Sequence, residues 1–189
     1  VKKVILIGDS IRMGYQSTVQ QALLGQADVW APEENGGTSA NVLTHLDDWV
    51  VSRRPDIVHL NCGLHDLKTE FGADTQAVPL NAYTTNLKTI FRQVQQGTSA
   101  TLIWASTTPV NERWHHDNKP FDRFAADVQA YNVRACEIAA QYGVQIDDLY
   151  QLVMDAGRDT ILLQDGVHFT QDGYTLLGQA AANAICLHL

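Results

Sequence analysis

Three cysteines in 189 residues, Cys62, Cys136 and Cys186, are too few and too widely spaced for a disulfide framework. No Cys-x-x-Cys pair exists, which argues against a zinc ribbon or a dithiol redox site. All three read as reduced core cysteines. Long apolar runs are also missing, and none approaches the roughly 18 residues of a membrane span. Basic residues are in the minority, 13 Lys and Arg against 21 Asp and Glu, for a formal net charge of −8. They form no cluster or stripe, so nucleic acid or another polyanion is an improbable partner. Gly-x-Gly-x-x-Gly and the Gly-x-x-x-x-Gly-Lys-Ser/Thr phosphate loop are absent, which makes a flavodoxin-like nucleotide or flavin binder a remote reading.

What is present suits one folded unit. The composition is 45% hydrophobic and 18% charged, ordinary for a soluble globular domain, and the chain is long enough for a substantial core. Residues 1–189 are expected to form a single domain. The N-terminus enters an apolar strand at once and does not read as an export signal. With the unpaired cysteines this gives a cytoplasmic expectation, although a signal removed ahead of Val1 would leave the same sequence.

Apolar runs and helical periodicity alternate throughout. Strands are expected at Val4–Ile7, Asp28–Ala31, Asp56–Asn61, Thr101–Ala105 and Val144–Ile146. Helices are expected near Met13–Leu24, Ser39–Ser52, Leu80–Gln95, Phe121–Tyr142, Leu149–Asp155 and from Gln171 onward, with Thr170 as N-cap. Lys68–Val78 and Asn111–Pro120 read as loops. The pattern implies an α/β protein, a three-layer α/β/α sandwich with a five-stranded parallel sheet.

Chemistry-bearing residues fall in the loops after successive strands, where such folds build their sites. Gly8-Asp9-Ser10 follows the first strand. It is either a sharp turn that presents a serine nucleophile or an ordinary turn and N-cap. Asp165-Gly-Val-His168 supplies a carboxylate and an imidazole three residues apart, about 5–6 Å at Cβ in a turn or helix start. A carboxylate on Nδ1 would leave Nε2 free to take the serine proton. Between them lie Asn35-Gly36-Gly37-Thr38-Ser39 and Gly63-Leu64-His65-Asp66. Trp114-His115-His116-Asp117 reads as a surface or substrate-facing loop, because adjacent histidines do not share a face; no metal site is expected.

The order of these four blocks resembles the SGNH (GDSL-type) esterase and lipase family, over nearly the whole chain. Tyr131-Asn132, Asp147-Asp148-Leu149-Tyr150 and His168-Phe-Thr-Gln-Asp-Gly-Tyr174 add to the likeness. The resemblance implies Ser10 as nucleophile, His168 as base and Asp165 as the orienting carboxylate. It further implies oxyanion donors from Ser10 N–H and Gly37 N–H, with Gly36 as the alternative, and from an asparagine in the third block. Here His65 stands in that asparagine's place. Asn61 lies roughly 13 Å back along an extended strand and cannot exchange for it. His65 is therefore expected to donate an N–H, as neutral imidazole or as imidazolium, with substrate binding or a structural role as alternatives.

Asp9, Asp66 and Trp114 are candidate substrate contacts, while Asp9 and Asp66 could instead secure their own loops. The implied activity is cofactor-independent hydrolysis of a small-molecule ester with a short acyl group, such as acetate on a carbohydrate or small alcohol. The rival reading is a non-catalytic carbohydrate or small-molecule binding module on the same fold.

Overall fold

Val4, Ile5, Leu6 and Ile7 are wholly buried, as expected of a central strand covered on both faces. The computed structural model describes residues 1–189. In chain order its elements are β1 (Lys2–Ile7), α1 (Ser10–Ala22), β2 (Ala27–Trp30), α2 (Ser39–Trp49), a 3₁₀ turn (Val51–Arg53), β3 (Ile57–Leu60) and β4 (Thr69–Glu70). There follow α3 (Leu80–Gly97), β5 (Thr101–Ala105), α4 (Glu112–Asn118), β6 (Phe121–Asp122), α5 (Ala125–Tyr142) and β7 (Gln145–Asp147). The chain ends with α6 (Leu149–Asp155), α7 (Arg158–Ile161) and α8 (Gln171–Cys186).

Five parallel strands form the main sheet in the order β2-β1-β3-β5-β7. Helices cover both faces of it, giving the expected three-layer architecture. The order reverses beside β1, so the loops after β1 and β3 flank the crevice in which open α/β sheets place their sites. A separate two-stranded antiparallel pair, β4 with β6, was not anticipated.

Several boundaries differ from expectation for local reasons. Helix α1 begins at Ser10 rather than Met13, because Asp9 is its N-cap and accepts the Ile11 N–H at 2.9 Å. The Asn111–Pro120 segment is not a plain loop: Asn111 caps α4 by accepting the Trp114 N–H at 3.1 Å. Phe121 and Asp122 are taken by β6, which delays the start of α5 to Ala125. Gly143 closes α5 in a left-handed conformation with φ 63°, as a C-terminal glycine should. The cysteines are unpaired, but only Cys62 is in the core; Cys136 is half-buried and Cys186 exposed.

One packing contact brings the two ends of the chain together. A Cβ on Gly14 of α1 would lie 2.1 Å from the Tyr174 ring of α8, and one on Gly178 of α8 would lie 2.5 Å from Thr18 Cβ. The two helices therefore touch without room for a further methyl group. Ser10 opens α1, and His168 precedes α8 by three residues, so this contact fixes their relative position.

Candidate active site

Ser10 Oγ lies 2.9 Å from His168 Nε2, and His168 Nδ1 lies 2.6 Å from Asp165 Oδ2. Asp165 Oδ1 also accepts the backbone N–H groups of Val167 (3.1 Å) and His168 (2.9 Å), which closes the tight loop carrying both side chains. Burial pushes the Asp165 carboxyl up. Hydrogen bonds from the His168 ring, the two backbone N–H groups and Lys119 outweigh that and hold it well below the usual carboxylate range. These contacts favour the ionised form of Asp165.

The second block is stitched to the nucleophile turn. Gly36 N–H donates to Gly8 O at 3.0 Å, and Arg12 Nη2 donates to Glu34 O at 2.9 Å. A Cβ on Gly36 would sit 2.7 Å from Gly8 O, so only glycine permits this approach. Its N–H is consumed there, and Gly36 is not available as the alternative oxyanion donor. Gly37 adopts φ +62°, and its N–H donates to Asn35 Oδ1 at 2.9 Å.

His65 is half-buried on the turn after β3. Burial lowers its proton affinity, Asp9 partly opposes this, and Arg123, Lys68 and His168 lower it further. These influences favour the neutral ring over the imidazolium. Asn61 does not compete for its place, since its Nδ2 is spent on Ala105 O (2.8 Å) and Thr107 Oγ1 (3.3 Å).

Two of the candidate substrate contacts are corrected by burial. Asp66 is wholly buried, and its oxygens take the Ser39 N–H at 2.9 and 3.0 Å together with the Ser39 hydroxyl. It joins the third block to the first residue of α2 and cannot reach a substrate. Burial raises its carboxyl to about 6 despite the hydrogen bonds from Ser39. Asp9 is 2% exposed and caps α1; it shapes the nucleophile turn. Trp114 is half-buried against the core. His115, expected in a surface loop, is wholly buried, and its Nε2 accepts from Arg123 Nη1 at 3.0 Å.

Arg123, Arg12 and Lys119 went unnoticed in the sequence. Arg123 is 6% exposed and donates from Nε to Leu64 O at 2.6 Å, fixing the residue before His65. No group of three or more His, Cys, Asp or Glu side chains is arranged to hold a metal, and no helix is long and apolar enough to cross a membrane.

The family model described as GDSL-like lipase/acylhydrolase matches residues 6–176. The chain belongs to that family. As a GDSL-like acylhydrolase it is an esterase- or lipase-type hydrolase, acting on small-molecule esters. No curated protein sequence is significantly similar to it. Among solved structures it is similar to the lipase/acylhydrolase from Enterococcus faecalis, with TM-score 0.83 and 23% identity over 98% of this chain and 95% of that one. It is also similar to the acetyl xylan esterase AlAXEase, with TM-score 0.78 and 19% identity over 97% and 99% of the two chains. Axe2, an acetylxylan esterase from Geobacillus stearothermophilus, gives TM-score 0.78 and 17% identity over 97% and 94%. At these identities the likeness is one of fold.

Proposed function

We propose that this acylhydrolase is a serine esterase for short acyl groups, with Ser10 as nucleophile, His168 as general base and Asp165 as the group that orients the imidazole. The observation that carries the reading is the continuous relay from Ser10 Oγ through His168 to Asp165, with links of 2.9 and 2.6 Å. Ser10 Oγ attacks the ester carbonyl while its proton passes to Nε2. That proton leaves with the alcohol, and an acyl-enzyme remains. Water then attacks, His168 takes its proton, and the acid departs as Ser10 regains a hydrogen.

The tetrahedral intermediate needs donors aimed at its oxygen. Ser10 N–H stands at the first turn of α1, where amides have no helical partner. Gly37 N–H and a neutral His65 N–H complete the set, each commonly worth about 3–4 kcal/mol.

Two proteins of similar fold are described as acetyl xylan esterases, which favours acetate on a carbohydrate.

Hydrolysis of p-nitrophenyl esters from acetate to octanoate, followed by acetylated xylo-oligosaccharides, tests this. The expected result is an optimum at acetate and acetate release from the sugar. A longer-chain optimum overturns the acyl assignment. Absence of Ser10-dependent turnover on every ester favours the binding-module reading instead.

A further inference from the structure

Asp165 does not face His168 alone. Its Oδ2, the oxygen bound to the imidazole, also lies 3.1 Å from Lys119 Nζ. Lys119 is the C-cap of α4, and α4 is fastened to the same loop at two further points. Asn111 N–H donates to Gly166 O at 2.9 Å, and Asn118 Nδ2 donates to Gln164 O at 2.9 Å. Gly166 has φ +72°, and a Cβ there would lie 2.4 Å from Asn111 O. Loop and helix thus meet as closely as backbone allows. A serine–histidine–carboxylate relay requires no cation on the carboxylate, so the lysine asks for a reason.

We propose that Lys119 is a positioning residue for the hydrolysis: it shares Asp165 Oδ2 with the imidazole, anchors the loop that carries both, and moderates the carboxylate's hold on the His168 proton. This rests on the Ser10–His168–Asp165 reading above. Lys119 is one of several groups that hold the Asp165 carboxyl low, beside the His168 ring and the backbone N–H groups of Val167 and His168. Lys119 therefore changes how much of that negative charge the imidazole feels. A positive charge just beyond the carboxylate offsets part of the negative charge that the imidazole faces.

The other titratable or charged groups acting here come from every surrounding element. They are Asp9 on the nucleophile turn, His65 on the third loop, His115 in α4, Asp122 and Arg123 after it, and Tyr174 in α8. Their side chains stay in place when position 119 is substituted, but Lys119 also lowers the proton affinity of His115, so the His115 and His168 ring signals are followed separately.

The test compares wild type with Lys119→Met, which keeps the stem and removes the charge, and with Lys119→Arg, which restores a cation. In Lys119→Met the acid limb of the kcat/KM profile is expected to move up by about half a pH unit. Lys119→Arg should return it. The NMR titration of the His168 ring should move in the same direction, and it reads the interaction without any substrate. A lysine that only braced the loop would lower turnover and leave both midpoints in place. Midpoints that stay put, or move to lower pH, overturn the proposal. If Ser10-dependent turnover is absent, the ester reading fails, while the ring titration still decides the role of Lys119. Should Lys119→Met not fold, Lys119→Gln carries the same comparison.

Discussion

Asn35 Oδ1 accepts the Gly37 N–H at 2.9 Å, so the backbone donor assigned to the oxyanion is occupied in the resting protein. The carboxamide is exposed, and an exposed hydrogen bond of this kind is worth about 1 kcal/mol. An oxyanion can displace it. Asn35→Ala should therefore raise kcat on p-nitrophenyl acetate by up to about fivefold. A fall of about tenfold instead would mean that Asn35 is needed to order the Gly37 turn.

Replacing His65 separates its three possible roles. His65→Ala should lower kcat by about 10²–10³ with little change in KM, the signature of a lost oxyanion donor. His65→Asn, which supplies an amide N–H, should recover part of that loss. Burial, Arg123 and Lys68 keep His65 neutral against the pull of Asp9, so its own titration falls on the acid side of the usual imidazole range. The pH profiles of wild type and His65→Asn should then run parallel above about pH 6.5 and diverge only below it. An unchanged kcat in His65→Ala would remove the residue from the reaction.

Asp66 gives a stability prediction with a definite sign. Its folded carboxyl titrates at about 6, above the roughly 3.9 of an unfolded aspartate. The folded state thus binds the proton more tightly. The contribution is complete below pH 4 and is lost as pH rises through 6. Asp66→Asn abolishes this dependence while keeping an acceptor for the Ser39 N–H. Urea unfolding at pH 4 and pH 8 should show the variant gaining on wild type by on the order of 2 kcal/mol as pH rises. A constant difference would contradict the assignment.

His115 has the opposite sign. Burial, then Arg123 and Lys119, push its titration down to about 4, below the usual 6.5 of imidazole. The neutral ring stabilises the fold fully above pH 6.5, and that contribution disappears as pH falls towards 4. His115→Gln preserves an acceptor for Arg123 Nη1 and does not titrate. Wild type should lose stability relative to the variant between pH 6.5 and 4, measured by denaturant unfolding. Parallel curves would show that His115 is not held neutral by this packing.

The central strands were legible because they are apolar runs bounded by glycine or proline signals, as at Val4–Ile7 before Gly8. The blocks after those strands were legible because short polar motifs stand out between them. Helix α4 was not, since Glu112–Asn118 is almost wholly polar and is stabilised by its Asn111 cap and by the loop it grips. Lys119 and Asp165 are 46 residues apart in the chain, and nothing local to either announces the pair. The burial of His115 has the same origin: its partner Arg123 arrives through the β4–β6 pairing, whose two-residue strands are too short to read. Asp66 could be named as a loop tie, but its partner Ser39 emerged only with the fold.

The central claim is that the relay makes Ser10 a nucleophile, and covalent labelling reads that most directly. Folded wild type treated with a fluorophosphonate should gain one adduct by intact mass, mapped by peptide sequencing to Ser10. Ser10→Ala should gain none, and His168→Ala should label far more slowly. A folded wild type that stays unlabelled, or labels equally after Ser10→Ala, would contradict the account.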